Sequence, residues 1–138
     1  MILLDGKKTS DEIKREIRVS VDSLVVNKER PPHLAAILVG DDGASLTYIG
    51  SKIRSCDQVG FKSSLFRYSL DISEIDLIKK IKDLNLDIEI DGFIVQLPLP
   101  KHIHKQKIIE AINPTKDVDG FHPMNVGNLS SGYESSIP

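Results

Sequence analysis

The sequence predicts an α/β domain in three layers, with helices over both faces of a mainly parallel sheet, and two observations carry that prediction. Segments of helical and strand period alternate along the 138 residues, as they do in a chain of βαβ units. Two strand-like runs, Leu34-Ala35-Ala36-Ile37-Leu38-Val39 and Gly92-Phe93-Ile94-Val95-Gln96, are apolar up to their last position. That is what a strand covered on both faces requires, because neither side chain direction meets water.

The elements follow in order. Thr9-Ser10-Asp11-Glu12 can supply a capping box, and Ile13, Ile17, Val21 and Leu24 then recur at helical spacing, predicting a first amphipathic helix that ends before Pro31-Pro32. The first strand, residues 34–39, stops at Gly40. A helix over about residues 44–58 follows and Gly60 ends it, after which Ser64-Leu65-Phe66-Arg67-Tyr68 alternates as a second strand. Ser73 caps a helix whose apolar positions Ile75, Ile78, Ile81 and Leu84 lie three apart. The third strand, residues 92–96, ends at prolines, and a short helix is expected over about residues 104–112. From Asn113 to Pro138 the chain is rich in Pro, Asp, Gly and Asn with little period. It reads as an irregular tail whose length implies a function or a connection to something further.

Composition narrows the function classes. A chain of this length is expected to form one domain with one core. With 40% hydrophobic and 28% charged residues it has a globular composition, and no apolar run approaches the ~20 residues of a membrane span. Met1-Ile2-Leu3-Leu4 precedes Asp5, Lys7 and Lys8, the reverse order of a secretory signal, so a cytoplasmic protein is expected. Cys56 is the one cysteine; it can make no internal disulfide or cysteine zinc site and is expected to be a small buried residue. The 18 basic and 20 acidic residues, net charge -2, are scattered and form no stripe for nucleic acid. Lys79, Lys80 and Lys82 fall on one helix as a solvated face. His102, His104 and His122 show no i, i+4 pairing with a third ligand, so no metal site is expected.

Three segments carry chemistry. On the second helix, Leu46, Ile49, Ile53 and Cys56 form one face and Thr47, Gly50, Arg54 and Gln58 another, which leaves Ser45, Tyr48 and Lys52 stacked along the border. An ammonium at such a border is partly desolvated, which favours its neutral form and suits it to accept a proton, while the tyrosine beside it offers an aromatic plane. A snorkelling lysine and a core-edge tyrosine are the plainer reading of that pair. Gln96 follows three apolar residues and enters the donor-poor run Leu97-Pro98-Leu99-Pro100, where its amide can accept from an ammonium or satisfy a loop backbone. Both features lie just past the carboxyl ends of strands, where open α/β sheets hold ligands. In Lys116-Asp117-Val118-Asp119-Gly120-Phe121, an extended chain would point both carboxylates the same way. Calcium fits poorly, since Phe121 stands where a further oxygen ligand is needed, and a surface turn is the plain alternative.

Taken together, Val39-Gly40 with Ala44-Ser45-x-x-Tyr48-x-x-x-Lys52, then residues 92–100, then Pro114-x-Lys116-Asp117-Val118-Asp119-Gly120-Phe121 and Asn125-x-Gly127-x-Leu129 closely resemble the bifunctional methylenetetrahydrofolate dehydrogenase/cyclohydrolase family (FolD type). The resemblance runs from Leu4-Asp5-Gly6 to the last residue, with three motifs in order. It implies an N-terminal folate-side domain spanning residues 1–138, with about residues 130–138, including Ile137-Pro138, beginning the connection to a Rossmann domain absent from this chain. That absent domain would bind NADP or NAD, and no G-x-G-x-x-G stretch occurs here. The resemblance further implies that Lys52 is the catalytic lysine, Tyr48 stacks on the folate, Gln96 holds and tunes Lys52, and Asp119 binds the pterin. Ser45 is then a supporting residue, Asp117 is structural, and Leu97, Pro98 and Leu99 line the pterin pocket. The implied substrates are tetrahydrofolate derivatives of one-carbon metabolism, and the implied full-length enzyme is a homodimer. Two other readings stand beside it. A short-chain dehydrogenase also uses Tyr-x-x-x-Lys but needs a glycine-rich loop that Gly40-Asp41-Asp42-Gly43 does not supply. A non-catalytic module could keep the pterin pocket alone.

Overall fold

The computed structural model describes residues 5–134; the Met1–Leu4 run and Ile137-Pro138 lie outside the described residues. The sheet is parallel with strand order β2-β1-β3, where β1 is His33–Val39, β2 is Lys62–Tyr68 and β3 is Gly92–Val95. Helix α1 (Gly6–Val26) and helix α2 (Gly43–Val59) pack on each other, and α3 (Glu74–Leu86) packs on α4 (Lys105–Ala111). The alternation of side chains along β1 and β3 separates the two faces. Ala35, Ile37, Val39, Phe93 and Val95 join Leu77, Ile81, Leu84 and Ile108 in the larger core, while Ala36 and Ile94 meet Ile49 and Ile53 of α2 on the opposite face. This is the three-layer arrangement that the two apolar strands imply.

Several elements differ in detail from their sequence signals. Helix α1 begins at Gly6 because Asp5, not the Thr9 box, is its N-cap: the Asp5 carboxylate accepts the Lys8 N–H at 3.0 Å and Thr9 Oγ1 donates back to the Asp5 carbonyl. Val21 is buried and Ile17 and Leu24 are half-buried, but Ile13 is exposed. In α3 the buried stripe is Leu77, Ile81 and Leu84, and Ile75 faces water at 79% exposure. The reason is geometric: three steps of three residues turn by a total of about 180° relative to whole turns, so Ile75 and Leu84 stand on opposite sides. Ser73 caps α3 as expected, its hydroxyl accepting the Asp76 N–H. Gly60 closes α2 in the left-handed conformation at φ 81°.

The segment after Asn113 is not irregular. It forms a 3-10 turn (Pro114–Lys116) and a helix α5 (Pro123–Ser130), each opening with a proline in its first turn. Asn113 accepts the Thr115 N–H, and His122 Nδ1 accepts the Met124 N–H at 3.1 Å. A histidine cap is outside the usual set of capping residues, so the sequence signal is weak.

The loop after β3 is tied to the rest of the domain through Glu74, at the start of α3. Its carboxylate accepts from the His104 backbone N–H (2.7 Å), from Lys107 Nζ (2.9 Å) and from the His104 ring. These bonds, the backbone one first, hold the Glu74 carboxyl down at about 2. A carboxyl depressed in the folded state contributes stability that is present above its ordinary range near 4.5 and is lost as the pH falls toward about 2. Urea midpoints measured from pH 7 to pH 2 are expected to show Glu74→Gln less stable than the parent at neutral pH, with the difference shrinking through this window. A difference that stays constant with pH would contradict the assignment.

Candidate active site

The strand order places a topological switch point between β1, whose connection leads away toward β2, and β3, which returns on its other side. Ligands in open α/β sheets sit outside the carboxyl ends of the strands at such a point. Gly40 ends β1 at φ 83°, with its N–H bonded to the Tyr68 carbonyl, and a Cβ there would lie 2.6 Å from Leu70 Cδ2. Asp42 then starts α2, accepting both the N–H and the hydroxyl of Ser45 at 2.9 Å. Those bonds keep the Asp42 carboxyl below the usual carboxylate range.

Two and a half turns along α2, Lys52 Nζ lies 3.0 Å from Asp119 Oδ1, with both side chains 26% exposed, and 4.9 Å from the centroid of the Tyr48 ring. The ammonium is therefore held between a carboxylate and an aromatic face, the geometry of an ion pair joined to a cation–π contact. Tyr48 is itself 56% exposed, so much of the side chain is within reach of a flat partner. A cleft of about 630 Å³ runs from Tyr48 and Lys52 along α2 toward the amino ends of β1 and β3, bordered also by Leu34, Cys56, Gly92 and Val118. Cys56 is buried, and burial pushes its thiol pKa up, which makes it an inert part of that wall.

The expected residues fall into two groups. Lys52, Tyr48 and Asp119, separated by up to 71 positions in the chain, are brought together. Gln96 lies at the carboxyl end of β3, its N–H continuing the ladder to the Ile37 carbonyl at 2.9 Å, but its Nε2 donates to the Leu97 carbonyl at 2.7 Å instead of engaging Lys52. The prolines that follow lack N–H groups, so a side-chain amide is the nearest donor for that carbonyl. Ser45, expected on the border of α2, is 5% exposed and turned into the helix cap. Leu97 and Leu99 are half-buried and Pro98 is exposed, with a cis Leu97–Pro98 bond.

The two aspartates do not point the same way. Residues 117–120 turn, the Gly120 N–H bonding to the Asp117 carbonyl, so the alternation of an extended chain does not apply. Asp117 is 2% exposed and accepts the His122 N–H at 2.8 Å and Asn125 Nδ2 at 3.0 Å, while Asp119 faces Lys52. Sequence reasoning also passed over Gly92. A Cβ on it would stand 2.5 Å from Val118 Cγ2, so the turn lies directly on β3. A glycine opening an otherwise apolar strand is the signal that marks such an approach. Among the described residues, no group of three or more His, Cys, Asp or Glu is placed to hold a metal ion, and no helix is long and apolar enough to cross a membrane.

Comparison with known proteins gives the family. Residues 4–119 match the family model for the tetrahydrofolate dehydrogenase/cyclohydrolase catalytic domain, a span that takes in Tyr48, Lys52, Gln96 and Asp119. The bifunctional protein FolD of Flavobacterium psychrophilum is 55% identical over 138 residues, covering 100% of this chain and 47% of its own length. That of Porphyromonas gingivalis is 60% identical over 135 residues, covering 98% and 46%. Among solved structures, the Campylobacter jejuni bifunctional methylenetetrahydrofolate dehydrogenase/cyclohydrolase superposes with a TM-score of 0.96 at 45% identity, covering 100% of this chain and 49% of the other. The Trypanosoma brucei FolD, solved with NADP cofactor and an inhibitor, gives 0.92 at 30% identity, covering 99% and 46%. The chain thus spans about half the length of the relatives it matches. With residues 4–119 of its 138 matched by that family model, the chain belongs to the tetrahydrofolate dehydrogenase/cyclohydrolase catalytic-domain family.

Proposed function

We propose that this chain is the folate-side catalytic half of a bifunctional enzyme that interconverts 5,10-methylene-, 5,10-methenyl- and 10-formyltetrahydrofolate. The reading rests on the meeting of Lys52, Tyr48 and Asp119 from two distant segments, with Tyr48 and Lys52 also lining the cleft along α2. The Lys52–Asp119 pair supplies both halves of what such a ligand needs. A pterin presents a ring N–H and an amino group, and Asp119 can accept both in place of the ammonium. Pterin binding would then exchange the ion pair and leave Lys52 Nζ facing the one-carbon unit. Tyr48 offers its exposed side chain for stacking.

In the hydrolytic direction water adds to the cationic methenyl carbon and one carbon–nitrogen bond opens. Protons must leave the attacking water and reach the departing nitrogen. An amine released from its carboxylate can carry both transfers, and in its neutral form it does not repel the cation. Gln96, at the carboxyl end of β3, can orient that amine without adding charge by turning its amide away from Leu97. Leu97, Pro98 and Leu99 would wall the pterin, and Ser45 would support the helix start through Asp42.

A nicotinamide nucleotide, NADP or NAD, would take the hydride in the oxidation of the methylene compound. The described residues contain no glycine-rich loop suited to it, and we assign its binding to the part of the relatives that this chain does not span. Cytoplasmic location and homodimer formation complete the proposal. Calorimetric titration of the full-length protein with 5-formyltetrahydrofolate tests the substrate side. Binding is expected, and Asp119→Ala is expected to weaken it by about 10- to 100-fold, as loss of a charge-assisted hydrogen-bonding partner does. Equal affinity of the two proteins would exclude Asp119 as the pterin acceptor.

A further inference from the structure

We infer that Asn125, acting through Asp117, is a positioning residue for Asp119, and that Gly92 is the seat on which the same turn rests. The inference deepens the reading of Lys52 and Asp119 given above and rests on it. Asp119 lies outside the sheet, in a turn whose location decides whether its carboxylate reaches Lys52. That turn is anchored on three sides. Its first residue, Asp117, pairs with Phe93 as a parallel bridge beside β3. The buried Asp117 carboxylate accepts Asn125 Nδ2 at 3.0 Å, and the same Nδ2 reaches the Pro114 carbonyl at 2.9 Å, so one amide closes both ends of the segment from 114 to 125. Beneath, Val118 stands over the bare Cα of Gly92.

Helix α5 makes this amide unusual. The residue that α5 buries is Asn125, at 6% exposure, whereas Met124, Val126 and Leu129 are 59%, 49% and 49% exposed. A helix that buries an amide and exposes its apolar side chains is not held by hydrophobic packing of its own; its position depends on hydrogen bonds. Asn125 therefore ties α5 to the turn, and the turn sets the reach of Asp119.

Lys52 reactivity reads this positioning without any folate. An amine held against a carboxylate acylates more slowly than one released from it. Trace labelling of the full-length protein with acetic anhydride, followed by mass spectrometry of the Lys52 peptide, measures that rate. Asn125→Ala is expected to raise it roughly threefold, the change that loss of one hydrogen bond produces. Gly92→Ala, which pushes Val118 from the other side, is expected to do the same. Asp117→Asn keeps an acceptor oxygen for both donors and is expected to stay near the parent rate, whereas Asp117→Ala is not. Leu77→Ala, which empties the core under α3 at a position with no bond to the turn, controls for general destabilisation and should leave Lys52 unchanged. If Asn125→Ala and Gly92→Ala label at the parent rate, or if Leu77→Ala labels as fast as they do, the inference is overturned. Should Asn125→Ala fail to fold, the Gly92→Ala rate decides. A parent protein that binds no 5-formyltetrahydrofolate would sink the proposed function while leaving these rates informative.

Discussion

Replacing Lys52 by Met in the full-length protein is expected to slow hydrolysis of methenyltetrahydrofolate by roughly 10²- to 10⁴-fold, the range over which a positioned proton-transfer group contributes. The thioether matches the stem of the lysine and can still lie on Tyr48, so the cleft keeps its shape while losing the amine. The lost ion pair is half-buried, so water still reaches the Asp119 carboxylate left behind and the drop in melting temperature should stay well below that of breaking a fully buried pair. The decay of methenyl absorbance, followed beside a thermal melt, checks both halves. Lys52→Arg separates charge from proton exchange. A guanidinium can still pair with Asp119 but does not deprotonate. It is expected to preserve the fold and lose the reaction almost as completely as Met does. Full activity in either variant would remove Lys52 from the chemistry.

The second large effect is on stability. Phe93 is wholly buried in β3, within the larger core, beside Val95, Ile108 and Ile112. Phe93→Ala is expected to cost about 3–5 kcal/mol through lost transfer energy and the cavity left behind. Domains of this size have about 5–15 kcal/mol to lose. The variant should therefore lose a large share of its stability, measurable as a large drop in the urea midpoint. Phe93 also neighbours Asp117 across the isolated bridge, so movement of its backbone would disturb the turn that carries Asp119. A variant with a parent-like midpoint would mean that this face collapses without cost, contrary to a close-packed core.

Much of the fold is legible in the sequence because it rests on strong local signals. The uninterrupted apolar runs of β1 and β3 announce burial on both faces, and Ser73 and Gly60 mark helix boundaries by capping chemistry that needs no tertiary help. The misread features are those decided by competition or by distance. Asp5 outcompeted the Thr9 box as a cap, and α5 starts from a histidine that no propensity rule favours. Ile75 follows the three-residue spacing yet lies off the buried face, because helical register drifts when it is counted in threes.

The candidate site divides along the same line. Tyr48 and Lys52 are one turn apart on a helix, so their contact follows from spacing alone. The approach of Asp119 to Lys52 across 67 positions is tertiary, and only the combined motifs and the family resemblance anticipated that these residues belong together. The local partner of Gln96, the cap role of Ser45 and the divergence of Asp117 from Asp119 are set by backbone turns and missing proline donors. No period in the sequence encodes them.

If the Lys52–Asp119 pair opens to receive a pterin, a crystal structure of the full-length protein with 5-formyltetrahydrofolate bound will catch it open. The Asp119 carboxylate is expected on the donor edge of the pterin, an aromatic ring of the ligand against Tyr48, and Lys52 Nζ moved from its 3.0 Å contact to face the one-carbon substituent. A ligand bound elsewhere, with that contact intact, would contradict it.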